Sequence, residues 1–423
     1  MTHALALALL LAASPAPAAA PDADGPLTLE QAVATALAHQ PQLQSARAQT
    51  RAAKARAAEG NAALLPQVGL TAGASRGGSP DPLGPGSSTS NSFSLGLRAS
   101  QTLFDTGAWY GASSGRSAAA AQAETERATR LSVVLAVRTA WFQAAAARDL
   151  VAVAKETLAN REAHLAQVKG FVEVGTRPEI DLAQARADRA NAVVQLIGAE
   201  NGFATAHAQL NQAMGVAAST DYPLAAAEPA PLPGEEGSID ALLAEALANR
   251  PDVAARARLR DAQVATLQST RSTFLPAVAA GGTVGEAGPA VDETRRSWSA
   301  GLTLTWSLLS GGGGAARVSE AQATLDALDA DDEAFRQAIR LQLEQARLAV
   351  RSARASVEAS AEVVVNTRDL LRLAEARYQA GLGNAIELSD AQVAVTNAAA
   401  QEVQARFTLA TARAQLAEAL GRS

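Results

Sequence analysis

The sequence predicts a mainly helical protein that carries a small membrane-type β-sheet and is laid out as two tandem copies of one design. Three observations lead there. The 423-residue chain repeats itself about halfway along. Its helix-forming stretches run far beyond the length of a globular helix. A few short segments alternate large apolar with small polar residues, the period of a half-buried strand.

Composition frames this reading. Aromatic residues make up only 4% of the chain, low for one compact core, while alanine, the strongest helix former, dominates. A net charge of −6 and a pI near 5.4 argue against nucleic acid as a partner, which would call for a basic surface. There is no cysteine, so disulfides, thiolate metal sites and a lipidated N-terminal cysteine are excluded. His3, His39, His164 and His207 show no ligand spacing. No P-loop, G-x-S-x-G or H-E-x-x-H occurs, and "GLGNAI" (381–386) lacks the third glycine of a dinucleotide fingerprint. The expectation is a protein without cofactor, metal or catalytic chemistry.

Residues 1–20 read as a secretory signal, an apolar run from Ala4 to Ala13 followed by an A-x-A-like site at Ala18–Ala20. The first copy spans 27–215. A short helix ends before Pro41, and a second runs to Leu65-Pro66. Strands follow at about 67–76 and 92–104, joined by a loop at 76–91. Long helices occupy about 110–170 and 178–214. The Pro-rich stretch 216–237 reads as a linker. The second copy, 238–421, restates this order, with Pro251 for Pro41 and Leu275-Pro276 for Leu65-Pro66, both 210 residues on. Its strands fall at about 277–285 and 297–309 with a loop at 285–297, and its long helices at about 314–380 and 385–420. Residues 117–169 and 315–379 contain no Gly or Pro. At about 1.5 Å per residue they span roughly 80 and 100 Å, the dimensions of rods. No 18 apolar residues run together, so a spanning helix is not expected.

The strands carry the functional hint. In "SWSAGLTLTWSLL", Trp298, Ala300, Leu302, Leu304 and Trp306 share one face, and Ser299, Gly301, Thr303 and Thr305 the other. In "SFSLGLRASQTLF", Phe93, Leu95, Leu97 and Ala99 oppose Ser94, Gly96, Arg98 and Ser100. Arg98 thus avoids the greasy face, where mid-bilayer it would cost about 2–4 kcal/mol. Trp298 and Trp306 lie about 26 Å apart along an untilted strand, close to the height of an outer-membrane apolar band. A soluble sheet packed on a core would alternate identically, but the rods leave little to pack on it. Four strands cannot close a barrel, and open edges in lipid strand N–H and C=O groups at several kcal/mol each. The physics therefore calls for an oligomer. Two copies give an eight-stranded barrel filled by side chains, and three leave room for a lumen.

Together "LTLEQAVATALAHQPQL" (27–43), "LLPQVGLT" (64–71), "LFDTG" (103–107), "VGTRPEIDLAQARAD" (174–188) and "RYQAGLGNAIELSDAQ" (377–392) resemble the TolC-type outer-membrane efflux channel family, in its unlipidated branch. The resemblance covers nearly the whole chain after the signal. It implies a homotrimer with a twelve-stranded outer-membrane barrel and a long α-helical periplasmic tunnel. Such a trimer is the exit duct of a tripartite efflux or type I secretion system, engaged by a periplasmic adaptor and an inner-membrane pump.

It further implies adaptor contacts at the helix turns Val174, Gly175, Thr176, Arg177 and Gly381, Leu382, Gly383. A closing contact between Tyr378 and Asp181 is implied, and an aperture ring of Glu387 and Asp390. An arginine joins this lock in the best-known relatives where this chain has Gly383. Arg177 holds the equivalent place in the first copy only, so a closed state would be held differently here, or more weakly. Phe93, Phe104, Trp298 and Trp306 are the lipid-interface candidates. Plainer accounts exist for each. First-turn acids stabilise a helix by about 0.3–1 kcal/mol, turn glycines supply a positive φ, and Tyr378 could simply pack. A periplasmic coiled-coil adaptor or rod is the alternative function; it explains the helices but not the Trp-flanked strand.

Overall fold

The computed structural model describes residues 25–80, 87–217, 222–225 and 231–422; the expected signal at 1–20 lies outside the described residues. In chain order the elements are α1 (Leu29–His39), α2 (Pro41–Ala62), β1 (Gln67–Pro80), β2 (Ser87–Phe104), α3 (Thr106–Glu173) and α4 (Glu179–Met214). The second copy gives α5 (Ile239–Asn249), α6 (Pro251–Arg271), a 3-10 turn (Ser272–Phe274), β3 (Ala277–Gly288), β4 (Arg295–Thr305), α7 (Gly313–Gln379) and α8 (Ala385–Ala419). No helix among the described residues is long and apolar enough to cross a membrane.

The chain divides into two compact units. One comprises Ser45–Ala128 and Arg250–Ala338 and holds the sheet. Its strands pair antiparallel in the order β1-β2-β3-β4, leaving β1 and β4 as open edges. The register aligns Leu70, Leu97, Val284 and Trp298 in one row, and on the opposite face Gly69, Arg98, Thr283 and Ser299 in another. The apolar face is bare: Val68, Leu70, Leu95, Trp298, Leu302 and Leu304 are all more than half exposed. At its outer end it turns polar, with Glu286 opposite Arg296 and an ion pair of 2.9 Å between them.

Two expectations are corrected. The expected loops 76–91 and 285–297 belong partly to the strands, since Arg76 to Pro80 pair with Asn91 to Ser87 and β3 runs on to Gly288. Their Gly, Ser and Pro content reads as turn, but ladder hydrogen bonds need only backbone, so pairing continues through them. The expected strand 297–309 stops at Thr305, before a turn in which Gly311 and Gly312 take positive φ of 59° and 84°. Trp306 therefore lies just past β4, where its indole N–H donates to the Phe274 carbonyl at 3.1 Å. A β-bulge at Thr102–Phe104 shifts the register so that Phe104 opposes Val278 and joins the apolar face.

Helix packing in this unit relies on small residues and fixed starts. The Asp105 carboxylate accepts from Ala108 N–H at 3.0 Å and caps α3. Ser269 of α6 donates to the Gly107 carbonyl at 2.8 Å. α2 and α3 run close at Gly115, where an added Cβ would lie in ordinary contact, 3.6 Å from the Ala57 backbone. Leu267 packs against Ala321 and Leu325 of α7, and Arg256 lies 4.1 Å over the Phe335 ring.

The other unit gathers the chain up to Gln44, Thr129–Asn249 and Ile339 onward. A capping box at Thr28 and Gln31 starts α1, whose Ala32 and Ala36 pack with Val137, Trp141, Leu210 and Met214. The described parts of 216–237 are docked. Leu27 and Leu224 form a parallel bridge, and Tyr222 donates to Asn211 at 2.7 Å. Glu235 pairs with Arg413 at 2.8 Å, both largely buried. Burial, the largest single influence, would raise the Glu235 carboxyl, but the bond from Arg413, the Leu232 N–H and the charges of Arg413 and Arg354 together hold it below the usual carboxylate range.

Candidate functional site

The turns between α3 and α4 and between α7 and α8 share one construction. Gly175 and Gly381 take φ of 75° and 73°, the left-handed C-cap that only glycine adopts cheaply. Thr176 N–H bonds back to the Phe171 carbonyl and Leu382 N–H to the Arg377 carbonyl, both at 2.9 Å. Each following helix starts differently. Pro178 opens α4 without a side-chain cap, whereas Asn384 caps α8 by accepting from Glu387 N–H at 2.7 Å.

One side chain joins the two turns. Arg177 donates to the carbonyls of Tyr378 at 3.3 Å and Gly383 at 3.4 Å, and its guanidinium lies 4.5 Å over the Tyr378 ring, within cation–π range. A Cβ at Gly383 would sit 3.2–3.3 Å from Tyr378 N, Arg377 Cβ and Glu387 Oε2, so the position is tight as well as open to Arg177. Tyr378 is 1% exposed and packs with Val168, Ala185, Leu388 and Ala391. The His164 ring meets it in an edge-type arrangement, the ring centroids 5.4 Å apart.

The expected closing contact with Asp181 is not a hydrogen bond, since the Tyr378 hydroxyl has no hydrogen-bond partner among the described residues. Asp181 acts on it through charge instead. Burial raises the Tyr378 pKa, Arg177 opposes this and Asp181 adds to it. His164 is held below its ordinary value, first by burial and then by Arg161, against Asp188 and Asp181. Glu387 is tied to Arg377 at 3.0 Å with both side chains about half exposed. Asp390 is exposed and without a hydrogen bond or ion pair among the described residues.

The structure adds groups that the sequence reading passed over. Beneath the turns, Arg161 contacts Asp188 at 3.4 Å and Gln392, and Ser389 donates to Asp188 at 3.3 Å. This polar node links α3, α4 and α8, and burial lowers the Arg161 pKa despite Asp188. Ile180 and Ile386 are 73% and 69% exposed and sit at matching places in the two copies, beside exposed Val174 and Leu382. The repeat offset was the signal that could have found them. Trp109 and Tyr110 also lie exposed in the first turn of α3, which the expected helix start at 110 had hidden.

Comparison with known proteins gives a consistent picture. The family model described as outer membrane efflux protein matches residues 32–216 and 242–422, once for each copy. The pyoverdine export outer membrane protein OpmQ of Pseudomonas putida is 29% identical over 410 residues, covering 93% of this chain and 85% of its own. Protein CyaE of Bordetella pertussis is 32% identical over 380 residues, 86% of this chain and 78% of its own. The solved Campylobacter jejuni CmeC outer membrane channel has a TM-score of 0.82 at 20% identity, covering 93% of this chain and 85% of that one. That last likeness speaks to fold alone.

Proposed function

The chain belongs to the outer membrane efflux protein family, and from that premise we propose that three copies complete one barrel and act together as a passive exit duct. As a member it is an efflux channel of the outer membrane whose helices extend into the periplasm. The observation that carries the proposal is the sheet itself. Four strands present two unpaired edges and a bare apolar face, and lipid tolerates neither edge. Twelve strands from three copies remove all edges and leave a polar-walled lumen. Phe93, Phe104, Trp298 and Trp306 then take the two interfaces, joined at the inner one by Trp109 and Tyr110. The rod reading gives that face no purpose.

The turns are the periplasmic mouth, closed within each subunit by Arg177 on Tyr378 and Gly383. Exposed Val174, Ile180, Leu382 and Ile386 offer an adaptor an apolar landing, and an inner-membrane pump supplies the energy. The duct carries out no chemistry of its own and holds no cofactor or metal. Fractionation and electrophoresis test this reading. The protein is expected in the outer membrane as an SDS-resistant, heat-sensitive trimer that conducts in planar bilayers. A soluble, detergent-independent monomer would overturn it.

A further inference from the structure

We propose that Arg98, with Thr283 and Ser299, forms an anion-binding ring on the inner wall of the barrel, one set from each copy. The inference rests on the barrel reading above. Register alone places Gly69, Arg98, Thr283 and Ser299 in a single row across all four strands of the polar face. Arg98 is exposed and makes no hydrogen bond or ion pair among the described residues. The Thr283 and Ser299 hydroxyls lie 2.8 Å apart, so one of them donates to the other and the remaining O–H is free to turn toward a ligand.

Among the described strand residues no carboxylate shares this face. The sheet's acid, Glu286, opposes Leu95 and Arg296 on the apolar side. Two rows further out on the polar face stands Arg295, again a cation. Added Cβ atoms at Gly69 and Gly301 would meet nothing within 4 Å, so packing does not demand those glycines, and small residues leave the guanidinium uncrowded. A low-dielectric wall lined by one sign of charge focuses its field into the lumen. The ligand class is a multivalent oxyanion, whether phosphate, sulfonate or polycarboxylate, and the ring would favour anionic cargo on its way out.

Inorganic tripolyphosphate is the probe. The purified full-length oligomer is placed in a planar bilayer, and the probe is added on the side of the strand-connecting loops. Wild type is expected to be blocked from that side, more weakly as salt rises. Arg98→Gln should need at least tenfold more tripolyphosphate for the same block, while still conducting and remaining an SDS-resistant oligomer. Arg98→Lys should retain most of the block. Equal block in wild type and Arg98→Gln, or no block in a conducting wild type, overturns the ring and leaves the duct standing. A failure of the wild type to conduct at all would overturn the duct, and the ring with it.

Discussion

Replacing Arg177 by alanine should open the periplasmic mouth, and the size of the effect follows from the geometry. The guanidinium stacks on Tyr378 at 4.5 Å in a half-exposed position, worth about 1 kcal/mol. Its bonds to two carbonyls, at 3.3 and 3.4 Å, exceed the optimum length and together contribute about 1 kcal/mol more. The sum, about 2 kcal/mol, is roughly a thirtyfold change in the opening of one subunit. Three subunits opening together would shift the equilibrium on the order of 10⁴-fold. Planar-bilayer recording reads this as the fraction of time spent at high conductance. Tyr378→Ala removes the ring but leaves both carbonyls, so it should shift opening by about half as much, about 1 kcal/mol per subunit. The double variant should be little worse than Arg177→Ala, in which the ring contact is already lost. Tyr378→Phe is the discriminating control. Its hydroxyl is buried without a hydrogen-bond partner among the described residues, so removing it should leave the mouth closed and the protein no less stable. A wild-type closed state in Arg177→Ala would refute the clasp. Opening by Tyr378→Phe as large as by Tyr378→Ala would move the lock to the hydroxyl.

His164 is depressed by burial and Arg161, so the folded state binds fewer protons there than the unfolded chain. Its contribution is fully present above the unfolded value of about 6.5 and is lost as pH falls through the folded one. Thermal melts between pH 7.5 and 5 should therefore fall more steeply for wild type than for His164→Gln, and parallel slopes would refute this. Adjacent residues test the sheet's sidedness. Leu302→Arg should cost about 2–4 kcal/mol and lower the heat resistance of the SDS-stable oligomer, whereas Thr303→Arg should be tolerated. Reversal potentials test the mouth. Asp390→Asn should reduce cation preference more than Glu387→Gln, because Glu387 is already neutralised by Arg377; equal effects would count against the ion pair's role.

What the sequence made legible was whatever depends on period. Alternation set the strand faces, and Arg98 lies on the small, polar side. The twin glycines marked both turns. Strand ends were less visible, because Gly-Ser pairing at 76–80 and 87–91 leaves no side-chain signature. Phe104 sits on the apolar face through a bulge, an event that parity counting alone assigns to the wrong side. The Arg161 node was out of reach for another reason. Its partners Asp188, Ser389 and Gln392 come from distant helices, and nothing local singles out one arginine among many.

The clasp shows how a duplicated chain can redistribute one task between its copies. Both turns end in the same left-handed glycine and the same backward hydrogen bond, so two positions after each glycine are structurally equivalent. One holds Arg177, the other Gly383. An arginine at 383 would bring its Cβ within 3.2–3.3 Å of Tyr378 N and Glu387 Oε2, crowding the ion pair between Glu387 and Arg377. The Gly383 carbonyl receives Arg177 from the other turn. The cation that spans the turns comes from the first hairpin, and Tyr378, fixed in its apolar pocket, is the surface it stacks on.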